Sequence, residues 1–115
     1  MYKIIILPHF KKEVKAYFKK YHHLKAAVIT ALERFRPEQE ALLGNGVYKI
    51  RIHSKDIPKG KSKSFRLIVF VIEVDRLLVP ISLYFKGDQS TISKKEIDDH
   101  LETIVFELHT EQLIN

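Results

Sequence analysis

Gly44-Asn45-Gly46-Val47-Tyr48-Lys49-Ile50-Arg51-Ile52-His53 is the stretch that decides how this chain folds. Gly-Asn-Gly is a turn signal, and the residues after it alternate. Read with a period of two, Tyr48, Ile50 and Ile52 point one way and Lys49, Arg51 and His53 the other. One face of this strand is apolar and belongs against a core. The other is cationic and must meet water or a polyanion, because unpaired buried charge is too costly.

Downstream, Ser54 to Ser64 is polar, holds Pro58, Gly60, Lys55, Lys59, Lys61 and Lys63, and reads as a basic loop between antiparallel strands. Phe65 to Val74 is almost continuously apolar, as expected of a central strand covered on both faces. Asp75-Arg76 reverses the chain into a strand over Leu77 to Phe85, where Pro80 cannot donate to a ladder and implies an edge position or a bulge. Upstream, the Ile-rich run Tyr2 to Leu7 reads as a strand closed by Pro8. Apolar residues then recur at helical spacing from His9 to Tyr21 and from Leu24 to Phe35, giving a helical hairpin, with a further turn expected through Glu38–Leu43. Ser93-Lys94-Lys95-Glu96 is a capping box that opens a last helix with Ile97, Leu101, Ile104, Val105 and Leu108 on one stripe, expected to continue to the C-terminus. The order β-α-α-β-β-β-α predicts an α+β fold. It comprises a mainly antiparallel four-stranded sheet, an N-terminal helical hairpin and a C-terminal helix, in one domain over 1–115.

The length of 115 residues suits a single core, and 45% hydrophobic with 30% charged residues marks a globular chain rather than a disordered one. Twenty Lys and Arg against 14 Asp and Glu give a net charge of +6, which suits an acidic partner such as RNA, DNA, an anionic surface or an acidic protein. Cysteine is absent, so disulfide and thiolate chemistry are excluded. No apolar run reaches the ~18 residues that span a bilayer, and a cytoplasmic location is expected. There is no Gly-rich phosphate loop or nucleophile elbow, and His9, His22, His23, His100 and His109 show no metal-ligand spacing, so neither metal nor cofactor is expected.

Strand parity defines the candidate chemistry. Arg66 falls on the face of Ile68, Phe70 and Ile72, and Ser82, Tyr84 and Lys86 share a face opposite Ile81, Leu83 and Phe85. If the registers align, Lys49, Arg51, His53, Arg66, Ser82, Tyr84 and Lys86 converge on one side of the sheet. Such a cluster suits cleavage of RNA by its own 2′-hydroxyl. That reaction needs a proton acceptor, stabilisation of charge on phosphorus and a proton for the departing oxygen. Arg grips phosphate bidentately, Lys acts as a point charge, and Tyr stacks on an unpaired base. Lys59, Lys61 and Lys63 are candidate RNA contacts. Each of these residues also has a plainer reading, as a solvated or ion-paired surface group.

The ordered set Leu43 to Arg51, Lys59-Gly60-Lys61-Ser62 through Phe65-Arg66-Leu67-Ile68, Leu83-Tyr84-Phe85-Lys86-Gly87 and Ile92 to Ile97 resembles the RelE/ParE toxin superfamily, and more closely its RelE/HigB-like branch. The resemblance implies a toxin of a type II toxin–antitoxin pair that cuts messenger RNA on the ribosome, metal-independently, and is neutralised by a cognate antitoxin. It carries the family's basic strand pair onto Lys49 and Arg51, its phosphate-gripping Arg onto Arg66 and its later cation onto Lys86. The chain departs from the family pattern at Ile92, where RelE carries a Tyr; Tyr84 is the substitute from the strand, and His53, Lys49 and Lys86 are the base candidates. Two other outcomes stay open: a ParE-like inhibitor of DNA gyrase, and an attenuated member that mainly binds its antitoxin.

Overall fold

The computed structural model describes residues 1–53 and 64–115. Strand β1 (Lys3–Ile4) leads into helix α1 (Pro8–Lys20) and helix α2 (Leu24–Glu33), then a 3-10 turn at Pro37–Gln39. Strands β2 (Ala41–Gly44), β3 (Val47–Ile52), β4 (Phe65–Ile72) and β5 (Leu77–Phe85) follow, and helix α3 (Lys94–Thr110) closes the order. The sheet runs β1-β5-β4-β3-β2, with β1 parallel to β5 and the other pairs antiparallel.

The expected α+β class holds, but among the described residues the sheet has five strands, not four. The further helical turn expected through Glu38–Leu43 is replaced by the 3-10 turn and β2. The cause is the Gly-Asn-Gly corner. Gly44, Asn45 and Gly46 all have positive φ (109°, 52° and 77°), which folds the chain back so that Ala41 faces Lys49 and Leu42 faces Tyr48. Gly46 is constrained twice: a Cβ there would sit 2.9 Å from the Val71 carbonyl oxygen, and Val71 N–H donates to the Gly46 carbonyl at 2.9 Å.

Pro80 lies past the pairing of β1 with β5, which ends at Leu78, and the ladder from β5 to β4 carries a bulge beside it, so both expected features meet at this residue. The register steps from Ile68↔Ser82 to Val69↔Pro80, leaving Ile81 as the extra residue. This corrects one parity assignment. Ile81 shares the face of Val79, Ser82 and Tyr84 instead of opposing them, and it packs in the same cluster as Tyr84.

β4 is buried on both faces, as its composition predicts. On one side Phe65, Leu67, Val69 and Val71 meet Phe10, Val14, Leu24, Val28 and Leu32 of the helical hairpin. On the other, Ile68 joins Val79, Ile81 and Tyr84 beneath Ile104 and Leu108 of α3. Ile104 and Leu108 are fully buried, and each contributes about 2 kcal/mol to docking that helix. The capping box is formed: Ser93 Oγ accepts from Glu96 N–H at 3.1 Å, and Glu96 Oε1 accepts from Ser93 N–H at 3.2 Å. The helix stops at Thr110 short of the C-terminus, and Leu113 and Ile114 fold back onto its cluster. α1 has no side-chain cap from its own N-cap residue Leu7, but Glu107 of α3 accepts from His9 N–H at 3.1 Å, supplying an acceptor at a helix start. Among the described residues, no helix is long and apolar enough to cross a membrane.

Candidate functional site

α3 lies on the same sheet face as the cationic strand positions and covers the middle of it. The cations therefore gather at the sheet end beside the first turn of α3. There, the register sets Arg51 directly across from Arg66, and Arg66 directly across from Tyr84, in one row over three strands. The next row is Lys49, Ile68 and Ser82. Beyond the first row, Lys86 N–H donates to the Ser64 carbonyl at 3.0 Å, which brings the start of β4 beside the end of β5.

The row has a buried floor and an exposed rim. Arg66 is 3% exposed and Tyr84 4%, Lys49 and Lys86 are half-buried, and Arg51 is open to solvent. Arg66 Nη1 donates to the hydroxyl of buried Ser64 and, at 3.5 Å, to the Phe65 carbonyl. Ser64 is a partner the sequence reading did not single out. Burial holds the Arg66 guanidinium below its ordinary pKa, Arg51 adds to the effect by like-charge repulsion, and Tyr84 opposes it. Arg66 still carries its charge at neutral pH. Burial pushes the Tyr84 phenol up against the pull of Arg66, and the Glu96 carboxylate raises it further. At neutral pH Tyr84 is therefore a hydrogen-bond donor, not a base.

The opposite face beneath this row is an aromatic block. Phe65 meets Tyr17 and Tyr21 edge-on with ring centres 5.2 and 5.3 Å apart, and Phe85 lies 5.2 Å from Phe65. Phe85 N–H donates to the Tyr17 hydroxyl at 3.4 Å. This fixes the strand ends that carry Arg66, Tyr84 and Lys86.

Lys49 borders a groove between the β2–β3 hairpin and α3, whose far wall includes Ile92, Lys94 and Ile97. The Ile92 departure from the family pattern thus sits opposite Lys49. His53 is exposed and, with Arg51, borders a different cleft formed by His23, Thr30 and Arg34 along α2. Lys59, Lys61 and Lys63 lie outside the described residues. Asp98 and Asp99 are engaged by Lys94 and Lys95, each pair at 3.0 Å. The expectation that no histidines share a ligand set is corrected: His9, Glu13 and His100 converge between α1 and α3. His9 and Glu13 are one helical turn apart, a spacing visible in sequence, but His100 joins them only through the fold.

A family model described as the RelE toxin of the RelE/RelB toxin–antitoxin system matches residues 7–115. The chain belongs to the RelE toxin family. It is a toxin of the type II toxin–antitoxin kind, and the family implies an antitoxin partner. No curated protein matches the chain significantly. Among solved structures, the isolated E. coli RelE toxin is 21% identical, covering 90% of this chain and 99% of its own, with a TM-score of 0.48. A double-arginine mutant of E. coli RelE in the free state is 22% identical, covering 77% of this chain and 87% of its own, with a TM-score of 0.47. The assignment to the RelE family rests on the family match. What the geometry adds is the placement of the cations: a RelE family chain whose Arg51, Arg66 and Tyr84 stand in one cross-strand row.

Proposed function

We propose that this toxin is a metal-independent endoribonuclease that cleaves messenger RNA on the ribosome, and hence acts in the cytoplasm. The observation that carries the reading is the Arg51–Arg66–Tyr84 row, two guanidiniums and a neutral phenol aimed at one strip of sheet. Two facing cations repel each other and favour an anion between them. A scissile phosphate on the rim takes bidentate hydrogen bonds from Arg51, while Arg66 stabilises the charge that builds on phosphorus from below. Tyr84, held protonated, donates a hydrogen bond to the phosphate or the departing 5′-oxygen. Lys49 and Lys86, on either side of the row, are placed to hold the flanking phosphates as ammonium groups, and the 2′-hydroxyl proton goes to His53 or to whichever of the two lysines stands as the neutral amine. Lys59, Lys61 and Lys63 are proposed to add salt-sensitive RNA contacts.

The antitoxin is proposed to seal two surfaces. One is the apolar groove between α1 and α2, where Val14, Phe18 and Ile29 are rimmed by Lys11, Lys15 and Lys25, a match for an acidic amphipathic segment. The other is the outer edge of β2, where Leu42 and Leu43 are exposed.

The burial of Arg66 and the apolar residue at Ile92 favour a second reading, a weakly active member whose main task is antitoxin binding. Mapping of messenger ends after induction separates the two. Cleavage should appear with wild type and fall about 10²–10³-fold in a folded Arg66→Gln variant. Undiminished cleavage in Arg66→Gln refutes the proposed role of the row, and no cleavage by wild type supports the binding reading. A gyrase supercoiling assay disposes of the ParE-like alternative.

A further inference from the structure

His9, Glu13 and His100 stand apart from the cationic row, and the proposed nuclease chemistry does not use them. His9 and Glu13 lie one turn apart on α1, and His100 faces them from α3. His9 Nε2 and His100 Nδ1 are 2.7 Å apart, and Glu13 Oε1 lies 3.9 Å from the first and 3.5 Å from the second. A triangle with sides 2.7, 3.5 and 3.9 Å has a circumscribed radius of about 2.0 Å, so one point is equidistant from all three atoms at the length of a Zn–N or Zn–O bond. An ideal tetrahedral face has edges of about 3.3–3.4 Å, which the His–His edge reaches by opening about 0.7 Å and the His9–Glu13 edge by closing about 0.5 Å.

We propose that these three side chains bind a divalent transition metal of the Zn²⁺ class, and that the ion pins α3 to α1. Two imidazoles and one carboxylate are the donor set such ions prefer. The two nitrogens at 2.7 Å already share a single proton between them, because a close pair of ring nitrogens needs one donor and one acceptor. The metal replaces that proton. The histidine side chains are 20% and 17% exposed and Glu13 is 41% exposed, so an ion can enter from solvent and water can fill the fourth position. The two helices are already registered by the Glu107 carboxylate on His9 N–H, so little ordering is needed when the ion binds. His100 follows Glu96 by one turn of α3, and Glu96 acts on Tyr84. An ion at this point therefore fixes the part of α3 that borders the cationic row.

The test uses untagged full-length protein stripped with a chelator and titrated with zinc chloride by calorimetry, with Co²⁺ absorption as a second readout. The expected result is one ion per chain and intense visible bands of four-coordinate Co²⁺. Zinc should also raise the wild-type melting temperature. Affinity should fall at least about tenfold in His9→Ala, in His100→Ala and in Glu13→Gln, the last a change at a well-exposed side chain that leaves packing intact. A His22→Ala/His23→Ala control should bind as wild type does. No binding by wild type overturns the proposal. So does binding that survives Glu13→Gln and His100→Ala unchanged, or that disappears in the His22/His23 control.

Discussion

Replacing Arg51 by Gln should make the protein more stable and less active. Arg51 and Arg66 are opposed across β3 and β4, where facing Cβ atoms lie about 5 Å apart. For charge centres taken as about 6 Å apart, Coulomb's law gives about 2.8 kcal/mol of repulsion at an effective dielectric of 20 and about 0.7 at 80. Arg51 is exposed, so solvent screening places the effect near the lower figure. A gain of about 0.7 kcal/mol in a domain of this size raises the melting temperature by about 3 °C. The repulsion is already felt by Arg66, whose guanidinium Arg51 helps to hold below its ordinary value. Thermal melts in low salt should show the gain, and it should shrink as salt rises, because the Debye length falls to about 3 Å at 1 M. Cleavage, scored by the same messenger mapping, should drop. An Arg51→Gln variant that is less stable than wild type, or whose gain ignores salt, would refute the picture of two cations held facing each other.

Two further outcomes follow from the backbone and the helix cap. Gly46→Ala should cost about 1–3 kcal/mol in urea denaturation, because its φ of 77° and its approach to the Val71 carbonyl leave no place for a Cβ. A neutral result would mean that the β2–β3 corner is not formed as described. Ser93→Ala should cost about 1 kcal/mol by removing the cap of α3. It should also change the acid limb. The Ser93 N–H, and after it the hydroxyl side of the capping box, hold the Glu96 carboxyl below its ordinary value of 4.5. The unfolded chain therefore takes up that proton at higher pH than the folded one. The linked stability is present above about pH 4.5 and is lost as pH falls through the folded value. Stability against pH in that window should be partly flattened in Ser93→Ala, which keeps the backbone N–H, and fully in Glu96→Gln, which cannot titrate; an unchanged slope in Glu96→Gln would dismiss the linkage.

Much of the fold was legible because local signals agreed. The period-two run after Gly46, the two helical stripes and the Ser93–Glu96 box each specify one conformation, and each is present. β2 was not legible. Ala41 to Gly44 is four residues with no alternation, and it becomes a strand only because the corner folds it against β3. The side taken by Ile81 was misassigned for a related reason: Pro80 announces a bulge, but not which neighbour is the extra residue. Within the site, parity correctly grouped Arg51, Arg66 and Tyr84. It could not show that α3 lies over the same face, which is why Arg66 and Tyr84 are buried rather than displayed. His100 meeting His9 across 91 residues has no local signature at all.

The bulge and the buried arginine are one feature of the fold. Strict alternation through Leu77, Val79 and Ile81 would send Ser82 and Tyr84 towards the helical hairpin, against Phe65 and Leu67, and would turn Leu83 and Phe85 away from it. The extra residue at Ile81 resets the period, so Tyr84 emerges beside Arg66 on the α3 side while Leu83 and Phe85 take the hairpin side. Two opposed arginines at the end of a sheet strain the strands apart. The Phe65–Phe85–Tyr17–Tyr21 block on the reverse face holds those same strand ends together, with aromatic contacts of about 0.5–1.5 kcal/mol each. Local rules of burial and charge are broken on one side of β4 and over-satisfied on the other, at the same residues. That pairing is what a fixed anion-binding strip requires, since the repulsion that favours the substrate must not be relieved by movement of the strands.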